Sequence, residues 1–237
     1  MTSKVVATPE EAVADVPDGA MIAISGFGAG YSYWLVKALA DREPKPGGLT
    51  YISTSARGGL ALLEADCVRK VITPYPAFGV SVTEENPLVE RWKRGEIEVE
   101  TAPLGNIILR LWMAGAGIAG LYTPTGVGTY VEETKESRFF DDKKYLLETP
   151  LKPDYAFVRA HKADPMGNLV YRRTGRNHGV VMAKSARITI AEVDEIVEPG
   201  DLDPEIIHTP SIYVKRVVKC PPPPSEWRTR GLRRWSK

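Results

Sequence analysis

Short apolar runs alternate with amphipathic stretches along most of the chain, and the apolar runs are rich in valine and isoleucine. Such runs are typical of buried strands, whereas apolar positions three or four residues apart are typical of helices. The pattern predicts strands at residues 21–24, 49–53, 70–73, 97–101, 120–123, 155–160, 187–193 and 212–218, with a hairpin strand at 169–171. It predicts helices at residues 33–41, 59–65, 87–93, 107–114 and 177–184. This alternation indicates an α/β fold, an open and mostly parallel sheet with helices on both faces.

Two segments depart from this alternation. Residues 124–150 open with glycines and are then dense in charge, which predicts a short antiparallel ribbon or lid. Four consecutive prolines at 221–224 end regular structure, because proline cannot donate a backbone hydrogen bond. We therefore expect one domain over residues 1–220 and a Pro-rich, then basic, tail over 221–237. The tail fits a solvated or subunit-docking segment, and nucleic-acid contact is an alternative without a motif to support it.

Composition narrows the functional classes. The chain has 237 residues, 43% of them hydrophobic, and a formal net charge of +1. This balance gives no reason to expect a nucleic-acid or membrane partner. The two cysteines, Cys67 and Cys220, are far apart and have no metal-ligand spacing, so we expect neither a disulfide framework nor a metal site. We see no secretion signal and no apolar run long enough to span a bilayer, and we expect a cytoplasmic protein.

Three predicted strands end in segments of small and polar residues. They are 25–31 with its three glycines, 53–59, and 122–129. Ligands bind outside the carboxyl ends of strands in open α/β sheets, so we expect these segments to share one pocket. The helix after the glycine loop predicts an anion or oxyanion site at its N-terminal N–H groups. Taken alone, the loop is equally consistent with a plain turn.

Known nucleotide and catalytic motifs do not account for this pocket. A P-loop would need Gly-Lys-Ser/Thr, and a dinucleotide-binding loop would need glycine where Tyr31 stands. The histidines His161, His178 and His208 are scattered without a partner at a recognised spacing, which favours structural roles. The pocket is thus predicted to bind and polarise a ligand without supplying a nucleophile.

The glycine segment also carries a family resemblance. From Asp18 to Phe27 the sequence resembles the Gly-Gly-Phe signature of the A subunits of 3-oxoacid CoA-transferases, which include the succinyl-CoA, acetoacetate and 3-oxoadipate enzymes. Residues 86–105, 113–129 and 161–219 also resemble this family, so that the resemblance covers roughly residues 4–219. It implies the family's α/β fold and a heterodimer with a B subunit, doubled into an α2β2 tetramer. It also implies coenzyme A as a substrate, with no permanently bound cofactor.

The resemblance implies a mechanism divided between two chains. The nucleophile of the family is a glutamate of the B subunit, which forms an acyl-glutamyl anhydride and then a glutamyl-CoA thioester. No catalytic residue is then expected in this chain. Its loops would shape the acyl pocket and donate hydrogen bonds to developing oxyanions. The substrate-binding residues implied are Ser25, Gly26, Phe27, Gly28, Gly30, Tyr31, Thr54, Ser55, Leu104, Thr123, Thr125 and Gly126.

Several of these positions depart from the family pattern. Ser25 replaces a glycine, Tyr31 and Tyr33 replace glycine and proline, Thr54-Ser55 replace two asparagines, and Leu104 replaces a glutamine. These exchanges predict a more apolar pocket and a bulkier or more hydrophobic acyl group than the usual small 3-oxoacid. Two alternatives remain open from the sequence. One is a CoA-thioester hydrolase or ring-opening enzyme of the same fold, and the other is a non-catalytic ligand-binding relative.

Overall fold

The computed structural model describes residues 2–76 and 86–225 and contains a long parallel sheet beside a small antiparallel one. The strands are β1 Met21–Ile24, β2 Leu49–Ser53, β3 Val68–Thr73, β4 Glu98–Thr101, β5 Leu121–Thr123, β6 Ser137–Phe140, β7 Lys143–Glu148, β8 Tyr155–Ala163, β9 Leu169–Val170, β10 Ile188–Ile196 and β11 Val214–Lys219. The helices are α1 Pro9–Val13, α2 Tyr33–Asp41, α3 Leu60–Glu64, α4 Pro87–Lys93, α5 Leu104–Ala116 and α6 Gly179–Ser185.

The main sheet has the strand order β11-β10-β8-β1-β2-β3-β4, with every neighbouring pair parallel. The short strand β9 is antiparallel and pairs with the end of β8. All five residues of β2 are buried, as expected of a central strand covered on both faces. The predicted fold class, an open and mostly parallel α/β sheet, is confirmed.

Alternate residues of the central strands face two separate hydrophobic cores. Ile22 and Ile24 pack with Leu35 and Leu39 of α2 on one face. On the other face, Ala23 belongs to a core that includes residues of α5 and α6. Because successive strand residues point to opposite faces, this division places helices on both sides of the sheet, as the sequence predicts.

The structure corrects the predicted place of one strand. Residues 120–123 are predicted as part of the parallel run, but β5 pairs with β7 in an antiparallel sheet of order β5-β7-β6. The antiparallel excursion predicted over 124–150 is therefore present and begins one strand earlier. A tight turn at Asp141-Asp142, with φ of 47° and 62°, reverses the chain between β6 and β7. This reversal brings β7 back beside β5, a pairing that local periodicity cannot reveal.

Other differences concern element ends. α5 begins at Leu104, three residues before the predicted start, and ends at Ala116, where Gly117 caps it in the left-handed conformation. β11 begins at Val214 because Ser211–Tyr213 form a 3₁₀ turn. Helix α1 is absent from the predicted elements because it is only five residues long. The basic part of the predicted tail, residues 226–237, lies outside the described residues. In the part of the chain that is described, no helix combines the length and hydrophobicity needed to cross a bilayer.

Candidate functional site

The glycine loop, residues 25–32, joins β1 to α2 at the carboxyl edge of the sheet. Its glycines Gly26, Gly28 and Gly30 have φ of 125°, 73° and 71°, in the region that side chains rarely adopt. The loop turns back on itself, and the Phe27 N–H donates to the Ala29 carbonyl over 3.0 Å. Because Ile24 pairs with Ser53, the ends of β1 and β2 lie side by side. The first two polar segments predicted from the sequence therefore meet.

Hydroxyl side chains hold the base of this loop. Ser25 is buried, its hydroxyl donates to the Gly30 carbonyl over 2.7 Å, and the same oxygen accepts the Arg159 N–H over 3.1 Å. The buried Thr54 hydroxyl donates to the Gly26 carbonyl over 2.8 Å. Both hydroxyls are thus engaged with the backbone beneath the loop.

Tyr31 fills the inside of the loop. Its hydroxyl lies 2.8 Å from the Ser55 hydroxyl and accepts the Gly28 N–H over 3.2 Å. A Cβ atom added to Gly26 would lie 2.2 Å from Cδ1 of the Tyr31 ring. The ring therefore occupies the space that a side chain at Gly26 would need. What the loop presents outward is its tip, with Gly28 exposed and Phe27 half-buried.

The N-terminus of α2 is occupied by a carboxylate of the protein, which corrects the expected oxyanion site. Glu192 of β10 is fully buried, and its Oε2 accepts the N–H groups of Trp34 and Leu35 over 2.8 and 3.0 Å. Its Oε1 accepts from the Arg159 guanidinium over 2.7 Å. Burial raises the pKa of the Glu192 carboxyl, whereas Arg159 and the two N–H groups oppose that shift. Helix α2 therefore does not offer these two donors to a ligand.

A second group of predicted residues surrounds the start of α5. Leu104 is half-buried at the first position of the helix. The buried Asn106 amide donates to the Thr125 carbonyl over 3.2 Å and to Glu148 over 2.7 Å. Thr123 accepts the Thr125 N–H over 3.3 Å through its hydroxyl. The structure thus gathers Leu104, Thr123, Thr125 and, next along the chain, Gly126 near one helix end.

The two groups are separate from one another. Leu104 follows β4, which lies two strands beyond β2, and at about 4.8 Å per strand the ends of these two strands are roughly 10 Å apart. Thr123 belongs to β5 of the small antiparallel sheet, and Thr125 and Gly126 follow that strand. The three segments predicted to share one pocket thus form two groups, one at the ends of β1 and β2 and one around the start of α5. A concavity of about 540 Å³ lies elsewhere, between α2 and α3, and none of the predicted binding residues lines it.

The segment before α6 packs against the tip of the glycine loop. The Asn177 amide donates to the Ala29 carbonyl over 2.9 Å, and a Cβ atom on Gly30 would lie 2.3 Å from the Gly175 carbonyl oxygen. The half-buried His178 ring lies 6.4 Å from the Phe27 ring between centroids. The other two histidines are elsewhere: His161 contacts Asp194, and His208 accepts the Tyr171 N–H.

Sequence reasoning missed the residues that position this loop. Glu192, Arg159 and Asn177 are far from it in sequence, and the structure brings them underneath and beside it. One signal was available, since Glu192 is a charged residue inside the apolar run of β10, and such a residue is rarely buried without partners. Among the described residues no group of three potential ligands is placed to hold a metal ion, and both cysteines are free and buried.

We expect His178 to make the stability of the protein depend on pH. Burial lowers the pKa of His178 below its ordinary value of 6.5. The unfolded chain then takes up a proton more readily than the folded one, so stability is full above about pH 6.5 and falls as the pH drops below it. We expect the His178→Gln variant to lose part of this slope in urea unfolding measured between pH 7.5 and about 5. An unchanged slope would contradict a contribution from His178. Burial also lowers the pKa of His208, and the His208→Gln variant tests its contribution in the same way.

Comparisons with known proteins agree with this architecture. Residues 6–220 match the family described as coenzyme A transferase. The chain is 42% identical over 223 residues to the A subunit of 3-oxoadipate CoA-transferase from Acinetobacter baylyi, covering 92% of this chain and 95% of that protein. It is also 42% identical over 227 residues to the A subunit of succinyl-CoA:3-ketoacid coenzyme A transferase from Xanthomonas campestris pv. campestris, covering 94% and 90%.

Solved structures share the fold. Glutaconate coenzyme A-transferase from Acidaminococcus fermentans superposes with a TM-score of 0.79 at 21% identity, over 95% of this chain and 77% of that chain. An acyl-CoA transferase from Escherichia coli O157:H7 gives 0.78 at 24% identity, over 92% of this chain and 47% of that chain, so this chain spans about half of it. The parallel sheet, the glycine loop at its edge and the extent of these matches lead to one conclusion: the chain belongs to the coenzyme A transferase family and is similar to its A subunits.

Proposed function

We propose that this chain is the A subunit of a heteromeric CoA-transferase, and that a B-type partner supplies a glutamate nucleophile. The observation that carries the proposal is the construction of the glycine loop. Beneath the loop, Ser25 and Thr54 bond to its backbone, and the buried carboxylate of Glu192 is engaged by Arg159 and α2. This arrangement supports a rigid wall for a substrate, and it suits a reaction whose nucleophile lies on another chain.

The proposed reaction passes through two acyl-glutamyl anhydrides and one glutamyl-CoA thioester. The partner's glutamate attacks the thioester carbonyl, expels CoA as a thiolate and forms an acyl-glutamyl anhydride. The thiolate then attacks the glutamyl carbonyl, which releases the first acid and leaves a glutamyl-CoA thioester. The acceptor carboxylate attacks that thioester, forms a second acyl-glutamyl anhydride and expels the CoA thiolate. The thiolate then attacks the acyl carbonyl of this anhydride, which gives the new acyl-CoA and frees the glutamate. Coenzyme A is thus a substrate, and no permanently bound cofactor takes part in the proposal.

This chain would contribute the wall of the acyl site. The exposed tip of the loop, Phe27 and Gly28, would face the thioester together with the partner's residues, and the loop would hold that position because Tyr31 packs inside it. We further propose that the assembled enzyme is an α2β2 tetramer located in the cytoplasm. The free thiols Cys67 and Cys220 agree with a reducing compartment.

The substrate in this proposal carries a bulkier or more hydrophobic acyl group than a small 3-oxoacid. One half-buried apolar side chain, Leu104, supports it directly, because it stands where the family resemblance implies a glutamine. Ser25, Tyr31, Thr54 and Ser55 would act indirectly, because their hydroxyls bond within the protein and set the shape of the loop.

The covalent step provides the test of this function. The chain is expressed with a B-type subunit and the complex is incubated with an acyl-CoA. The masses of both proteins are then measured by mass spectrometry. We expect one CoA attached to a glutamate of the partner, none attached to this chain, and transfer only when an acceptor acid is present. CoA attached to this chain would contradict the division of roles. Acyl-CoA hydrolysis without an acceptor would favour the hydrolase alternative.

Leu104→Gln tests the apolar acyl site. We expect the ratio of kcat/KM for a polar acyl group to that for an apolar one to rise about tenfold, since one wall contact is worth about 1–3 kcal/mol. The measurement compares acetoacetate with a medium-chain acid in the assembled enzyme. Trp112→Gln, an exposed change further along α5, serves as the control and should leave the ranking unchanged. An identical ranking in Leu104→Gln would place Leu104 outside the site.

A further inference from the structure

Three arginines extend from the segment between β9 and α6. We call this segment, residues 172–177, the arginine turn. Arg172, Arg173 and Arg176 are not buried, and Arg173–Arg176 form a 3₁₀ turn. The ion pairs recorded within the described ranges, 2–76 and 86–225, include none made by these three side chains. Within those ranges, the turn therefore presents three positive charges without a carboxylate partner.

Three other arginines in the described part of the chain show the contrast, because each is paired with a carboxylate. Arg110 lies 2.7 Å from Glu100, and Arg159 lies 2.7 Å from Glu192. Arg216 holds Asp15 through two hydrogen bonds of 2.6 and 2.7 Å. Closely spaced cations repel one another, so three of them on one short turn are best stabilised by an anion that comes from outside the chain.

The arginine turn is fastened to the glycine loop. The Asn177 amide donates to the Ala29 carbonyl over 2.9 Å, and the side-chain Oδ1 of Asn177 accepts the His178 N–H over 2.6 Å. Gly175 packs directly against Gly30. Arg173 has a φ of 51°, a conformation that is uncommon for a non-glycine residue. The backbone from which the arginines extend is thus held in a fixed position beside the proposed thioester site.

We propose that the arginine turn binds the phosphate groups of the nucleotide end of CoA. The inference rests on the proposed function, because that function brings an acyl-CoA to the glycine loop. The phosphates carry several negative charges at the far end of the flexible pantetheine arm, so they can remain at the surface while the thioester enters the site. Guanidinium groups bind phosphate oxygens through paired hydrogen bonds, which a cluster of solvent-accessible arginines can supply.

The test removes the three arginine charges by substitution and, separately, removes the phosphates by shortening the substrate. In the complex with the B subunit, the R172Q/R173Q/R176Q variant is compared with the unaltered protein on an acyl-CoA and on the same acyl thioester of pantetheine, which lacks the nucleotide. We expect KM for the acyl-CoA to rise about tenfold or more, and KM for the pantetheine thioester to change less than twofold. The charge-matched control R138Q/K143Q/K144Q removes three cations from the β6–β7 hairpin and should change neither value.

Several outcomes would overturn this assignment. An unchanged KM for the acyl-CoA would do so, as would equal losses for both thioesters. A higher KM for the acceptor acid alone would assign the turn to a carboxylate instead. Calorimetric titration of CoA and of pantetheine into the same complexes needs no turnover. If transfer fails in the unaltered complex but CoA still binds more weakly to the arginine variant, the proposed function is wrong and the phosphate site stands.

Discussion

Gly26→Ala lowers the transferase turnover of the assembled enzyme at least a hundredfold. The added Cβ would lie 2.2 Å from Cδ1 of Tyr31 and 2.5 Å from Cγ, and the ring is held in place because its hydroxyl is bonded to Ser55 and Gly28. The φ of 125° adds strain, since side chains rarely adopt it. The loop must therefore move, and a displacement of about 1 Å near reacting atoms can cost about a hundredfold in rate. Steady-state kinetics of the complex measure the effect.

Gly19→Ala is the matched control for this change. Gly19 precedes β1, at the end of the strand away from the loop, and has a positive φ of 71°, but a Cβ atom there would meet nothing within 4 Å. It should cost about 1 kcal/mol of stability from backbone strain and much less activity than Gly26→Ala. A Gly26→Ala/Tyr31→Ala double variant removes the ring that the new methyl group meets, and it should recover part of the turnover. Equal losses of activity in Gly26→Ala and Gly19→Ala would show that backbone strain, and not contact with Tyr31, causes the defect.

Glu192→Leu lowers the free energy of unfolding by about 3–5 kcal/mol, the usual effect of removing one partner of a buried ion pair. The change leaves the guanidinium of Arg159 without this carboxylate and leaves the N–H groups of Trp34 and Leu35 without their acceptor. Because those N–H groups start α2, the loss also loosens the glycine loop that precedes the helix. Urea unfolding followed by circular dichroism measures the stability, at matched protein concentration.

Glu195→Gln is the control on the same strand. Glu195 is half exposed and pairs with Lys162 over 3.0 Å at the surface, where such a pair contributes about 1 kcal/mol or less. Glu192→Gln should be intermediate, because its amide oxygen still accepts a hydrogen bond although the charge is lost. A Glu192→Leu protein as stable as Glu195→Gln would mean that α2 does not depend on this carboxylate.

The strands of the main sheet could be predicted from the sequence because their signal is local. Strands such as β2, buried on both faces, need continuous apolar runs, and those runs are visible in any short window of sequence. The misplaced strand β5 shows the limit. Its three residues pair with β7, more than twenty positions away, and nothing in their own pattern says whether that pairing is parallel or antiparallel.

Some features of the candidate site could be predicted from the sequence and others could not. Its glycines were visible because a positive φ restricts the residue type at a single position. The directions of Ser25, Tyr31 and Thr54 were not, because a hydroxyl looks the same in the sequence whether it faces a ligand or the backbone beneath it. The binding roles assigned to these residues remain predictions.

By itself, the sequence determined the class of fold, the family resemblance and the position of the glycine loop, because each depends on local patterns of hydrophobicity and backbone freedom. Only the tertiary structure decided that Glu192 occupies the N-terminus of α2, that Tyr31 fills the loop from inside, and that the arginine turn lies beside Gly30. These are contacts between segments distant in the chain. Their energies depend on burial and on distances of about 3 Å, which exist only once the strands have assembled in their order.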